Sequence, residues 1–130
     1  MAIGAELARA LQSFAAQEQE IVDIGGKVDP ATALDFVRMR RRLVMCFAAL
    51  NAAIDEDQWV TSDAQLHQKG RQLFSAFRAA NSINQANWPV VEARDDPKGY
   101  ADAARPVAEK SRAFWQWAEQ ELGFERRIPA

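Results

Sequence analysis

The stretch LDFVRMRRRLVMCFAALNAAI, residues 34–54, decides the fold class. Phe36, Leu43, Phe47, Leu50 and Ile54 recur at spacings of seven, four, three and four residues, the repeat of one helical face turned toward a core. At about 100° per residue, Arg40 projects into the middle of that face, between Phe36 and Leu43. Its neighbours Arg38, Arg41 and Arg42 point outward, on the side that also carries Leu34 and Met45. A cation inside an apolar stripe needs a partner or a ligand.

Toward the N-terminus, Ile3, Leu7, Leu11, Phe14 and Ile21 form a second stripe, interrupted at its centre by Glu18. Gly25 and Gly26 are expected to end this helix, one of them in the left-handed cap conformation. Asp29-Pro30 reads as N-cap and first residue of the next. So short a connection predicts an antiparallel hairpin. At ~1.5 Å rise per residue, with the turn near Lys27, Glu18 and Arg40 fall about 6 Å apart along the hairpin axis. The spacing therefore predicts a buried Glu18–Arg40 ion pair, either fixing helix register or facing a ligand.

Beyond residue 54, the acidic run Asp55-Glu56-Asp57 opposes the helix dipole and predicts a stop by Asp55, with Trp59 and Val60 anchoring a loop. Thr61, Ser62 or Asp63 can cap a third helix, whose face holds Leu66, Gly70, Leu73, Phe74 and Phe77. Gly70 in that seam predicts close helix approach. Asn81 and Asn84 then occupy stripe positions, so the helix either ends near Asn81 or lines something wet. Residues 87–96 show no helical period and read as one long loop. Asp96-Pro97 restarts a helix that must break or kink at Pro106. The last stripe is Val107, Phe114, Ala118 and Leu122, with Gly123-Phe124 as its C-cap.

The expected architecture is a single-domain, all-α, antiparallel four-helix bundle of up-down-up-down connection spanning 1–130. Its helices run over about 3–23, 30–55, 63–86 and 97–122, the last broken near 105, with a loose tail at 125–130. One domain suits a chain of 130 residues with 26% charged residues and a net charge of -2. Cys46 stands alone and reads as a core thiol. The start, Met-Ala-Ile-Gly-Ala-Glu, lacks a basic, apolar leader, and no stretch approaches the ~20 apolar residues of a span. The expectation is a cytoplasmic protein.

Catalytic and metal motifs are not found in the sequence. One histidine cannot supply the paired Glu-x-x-His motifs of a di-iron bundle, there is no Cys/His cluster for zinc, and no calcium or phosphate loop is present. No cofactor is expected, and an enzyme is not favoured. Three outward arginines on a chain of negative net charge give no strong nucleic-acid signal. The segment His67-Gln68-Lys69-Gly70 resembles the phosphoacceptor segment of histidine phosphotransfer domains in its residue types. That family places two residues between the histidine and the Lys-Gly pair where this chain has one, which turns Lys69 to the far side of the helix.

Three functions follow in order of preference. Trp115 and Trp117 lie roughly 200° apart around the last helix, so one is expected at the surface. With Leu34, Arg38, Arg41 and Met45 it would form a contact surface of a non-enzymatic bundle, acting through a protein partner or as a homodimer. The alternative is a carboxylate or phosphate ligand in the bundle core, anchored by Glu18 and Arg40 and walled by Phe14, Phe36 and Phe47. Phosphotransfer at His67 comes third.

Overall fold

The computed structural model describes residues 2–126. They form seven α-helices: α1 (Ala5–Gly25), α2 (Ala33–Glu56), α3 (Gln58–Thr61), α4 (Ala64–Asn87), α5 (Val90–Asp95), α6 (Pro97–Ala103) and α7 (Arg105–Glu121). The chain is an all-α helical bundle, and the expected simple four-helix up-down-up-down arrangement is incorrect. Three short helices replace what reads as loop or as one broken helix. Six residues make too few turns for α5 to display a period, so the segment 90–95 carries no visible helical signal. Tertiary contact supplies what local pattern lacks: Ala93 and Val90 pack on Phe36.

The main core lies among α1, α2, α4 and α7. Phe14 is at its centre, edge-on to Phe47 at 4.8 Å and to Phe77 at 5.6 Å. Phe74, Phe114 and Trp115 complete the aromatic cluster, and all six rings are buried. Such edge-to-face pairs add to the area they remove from water. A satellite core of Val28, Phe36 and Ala93, joined by Tyr100, Val90 and Ile24, seats α5 and α6 against the α1–α2 hairpin.

Local capping explains the boundaries. Asp29 and Thr32 bond reciprocally, Thr32 N to Asp29 Oδ1 at 2.9 Å and Asp29 N to Thr32 Oγ1 at 3.0 Å. This turn delays α2 to Ala33, three residues later than Asp29-Pro30 implies. Neither Gly25 nor Gly26 is left-handed; Gly123, at φ 69°, is the one glycine with positive φ among the described residues. There Phe124 N donates to Ala118 O, and the Phe124 ring stacks on Trp115.

The acidic run becomes a junction. Asp57 caps α3 by accepting from Val60 N at 2.9 Å, and its other oxygen accepts from Gly4 N at 2.7 Å. Asp55 meets His67 Nε2 at 2.8 Å. The start of the expected loose tail is tied down as well: Arg126 pairs with Glu119 at 2.9 Å and covers the Trp115 ring. Residues 127–130 lie outside the described residues. No helix among the described residues is long and apolar enough to cross a membrane.

At Gly70, α4 is closely covered by the Trp117 side chain of α7. A Cβ placed there would lie 2.4 Å from Cζ2 and Cη2 of Trp117, whose ring is buried. Alanine gains about 1 kcal/mol over glycine in an open helix, but here overpacking dominates. Gly70→Ala is expected to destabilise the fold by roughly 1–3 kcal/mol, read as a lower urea midpoint with unchanged slope.

Candidate functional site

A cleft of about 340 Å³ lies between the two cores. Its apolar walls include Ile21 of α1, Leu43 of α2, Phe77 of α4 and Val107 of α7, and Tyr100 of α6 closes the satellite side. Glu18, Arg40, Asn81, Asn84, Gln85 and Ser111 supply its polar groups. Glu18 and Arg40 thus share one cavity, as lining groups rather than as an ion pair.

Arg40 is 8% exposed. Its Nη1 donates to the Trp88 carbonyl at 2.7 Å. The guanidinium carbon lies 4.5 Å from the Phe36 ring centroid and 5.7 Å from that of Tyr100, so the cation rests against two aromatic rings that meet edge to face. Nη2 is buried and has no hydrogen-bond partner.

Glu18 faces α7 instead of Arg40. Ser111 Oγ donates to its Oε2 at 2.5 Å and Trp115 Nε1 to its Oε1 at 2.8 Å. Ser111 and Trp115 are four residues apart and therefore share a face of α7. The hairpin geometry put Glu18 and Arg40 at similar heights, but height does not fix azimuth. Packing turned one charge to α7 and the other to the α4–α5 junction. Desolvation by burial raises the Glu18 pKa above its ordinary 4.5, opposed by the Ser111 and Trp115 hydrogen bonds and by the nearby Arg126 charge.

The polar end of α4 completes the site. Its helix continues to Asn87, so Asn81 and Asn84 stay in register with the core face, and both are buried. Asn84 Oδ1 and Gln85 Nε2 join Arg40 Nη2 as buried side-chain atoms without a hydrogen-bond partner. Three unpaired polar atoms on one cleft are unusual, since each carries a desolvation cost of about 1–3 kcal/mol.

Other predicted residues separate. Phe14, Phe36 and Phe47 are core rings and do not line the cleft; Phe36 lies against the guanidinium. Trp115 and Trp117 are buried at 1% and 5% exposure, which corrects their assignment to a contact surface. Leu34, Arg38, Arg41 and Met45 do lie exposed on α2. His67 Nε2 is engaged by Asp55, on a side chain only 22% exposed. Cys46 is half-buried, and desolvation raises its thiol pKa, the opposite of activation. No group of three or more metal-ligating side chains occurs among the described residues.

Sequence reasoning missed Gln85, Tyr100 and Ser111. Ser111 had a signal: it falls between Val107 and Phe114 at core spacing, a hydroxyl in an apolar stripe. Gln85 and Tyr100 had none, because only the docking of α4 and α6 brings them to Arg40.

Comparison with family models, curated proteins and solved structures finds no match for this chain.

The raised Glu18 pKa makes stability depend on pH. The folded protein holds this proton more tightly than the unfolded chain, so the group's contribution is fully present below the unfolded value of 4.5 and is lost as pH rises through the raised folded value. Glu18→Gln keeps an acceptor for Trp115 and abolishes the titration. Relative to wild type, the variant should gain stability with rising pH across that window and keep a constant difference above it. Urea unfolding of both proteins from about pH 4 to about pH 8 measures this; parallel profiles would contradict it.

Proposed function

We propose that this protein is a small-ligand binding domain whose cleft holds an anionic group, carboxylate or phosphate, at Arg40. The observation that carries the reading is that Arg40, Asn84 and Gln85, each with a buried polar atom that lacks a partner, all line one cleft. A bound polar group would satisfy all three. The cavity volume falls in the range of small-molecule sites, and its mostly apolar wall with few convergent polar groups has their composition. Arginine held by a carbonyl and two rings is pre-organised, which lowers the entropy cost of binding. Anchors are Arg40 and the end of α4, with Glu18 at the α7 side.

The protein-contact reading is second. Met45 is 71% and Leu34 59% exposed, with Val44 beside them on the outward side of α2. A second copy of this chain is the partner that reading requires. Sedimentation at micromolar concentration would then give a dimer that Met45→Glu returns to monomer; a monomeric wild type removes it.

For the ligand reading, nitrogen-labelled protein is titrated with a panel of small carboxylates and phosphate monoesters. Saturable shifts are expected at Asn84, Gln85, Tyr100 and Ala104, and Arg40→Met should weaken binding at least about tenfold, the loss of one charged hydrogen bond. If no member of the panel shifts these amides, or Arg40→Met responds like wild type, the reading fails.

A further inference from the structure

The unpaired atoms define more than a site for some anion. Arg40 has already spent Nη1 on Trp88, and its guanidinium lies against the Phe36 and Tyr100 rings. Nη2 is buried without a partner, and Gln85 Nε2 is a second such donor. Two donors match the two oxygens of one carboxylate. Asn84 Oδ1, a buried acceptor without a partner on another residue lining the same cleft, calls for a donor on the ligand.

Charge sets the number of anionic groups. Arg40 is the one cationic side chain lining the cleft, and Glu18 lines it too. A dianion would face a single cation, with a carboxyl group already built into the opposite wall, and its second charge would be buried unpaired. A monoanion matches the Arg40 charge, whereas a second anionic group would meet only the Glu18 carboxyl. The remaining walls, Ile21, Leu43, Phe77 and Val107, favour an apolar body. About 340 Å³ equals roughly eleven water volumes at ~30 Å³ each, so the ligand has on the order of ten non-hydrogen atoms.

Resting on the ligand reading above, we propose that the cleft binds a monocarboxylic acid with an apolar tail and a hydroxyl beside the carboxylate. The carboxylate bridges Arg40 Nη2 and Gln85 Nε2, the hydroxyl donates to Asn84 Oδ1, and the tail lies along Leu43 and Phe77 toward Val107. Glu18 is a specificity-determining residue that disfavours a second anionic group at the far end.

The test is calorimetric titration with four probes of one chain length: 2-hydroxyoctanoate, octanoate, octanedioate and octyl phosphate. 2-Hydroxyoctanoate should bind one to one, several-fold tighter than octanoate, and octanedioate and octyl phosphate at least about tenfold weaker than octanoate. Asn84→Leu should erase the preference for the hydroxy acid while leaving octanoate binding nearly unchanged. Ala108→Trp, which fills the cleft from an exposed position on α7, should abolish binding of all four and keep the fold.

Equal or tighter binding of octyl phosphate or octanedioate overturns this inference and leaves anion binding at Arg40 standing. Equal affinity for the two monocarboxylates overturns the role given to Asn84. Binding that survives Ala108→Trp, or no binding of any probe together with no response in the wider anion panel, overturns the site itself.

Discussion

A guanidinium buried against two aromatic rings joins the two halves of this structure. Arg40 belongs to α2, the carbonyl it grips belongs to Trp88 at the α4–α5 junction, and one ring over it belongs to α6. Without that bond α5 and α6 would rest on the small satellite core alone, where Phe36 and Ala93 are the most buried members. A buried cation is costly unless its donors are used. Arg40 uses one nitrogen for the fold and leaves another buried and unpaired.

Glu18 solves the same problem differently. Its carboxylate takes two donors from successive turns of α7, so α1 and α7 are joined by hydrogen bonds across a core otherwise made of rings. Arg40 and the partly buried Glu18 therefore act as separate clasps, one toward each side of the bundle. The cleft exists because they do not meet: a direct ion pair would bring α1 and α2 side chains together across the space that Leu43, Phe77 and Tyr100 now enclose.

Much of this was legible in order. The stripes of α1, α2, α4 and α7 follow the helical repeat, the glycine at 70 marked a close helix contact, and the asparagines at 81 and 84 marked where an apolar face turns polar. Glu18 and Arg40 stood out as charges in apolar faces. Their partners did not, because a side chain's direction around a helix axis depends on which neighbouring helix packs there. The tryptophan pair misled for a related reason. An angular separation of roughly 200° on an isolated helix looks like one ring in and one out, yet Trp115 is covered by Phe124 and Arg126 and Trp117 by α4 at Gly70.

The sequence by itself determined the helical class, the residues of the main core and the two charges that interrupt it, since helix periodicity and the cost of burying charge are local and general. Packing settles that the links contain three further helices, that the charges part company, and that a cleft lined by three residues with unpaired polar atoms lies between two cores. The short helices are too brief to show a period and are held by what they pack against. The cavity is a property of how helices meet, and no single stretch of chain carries it.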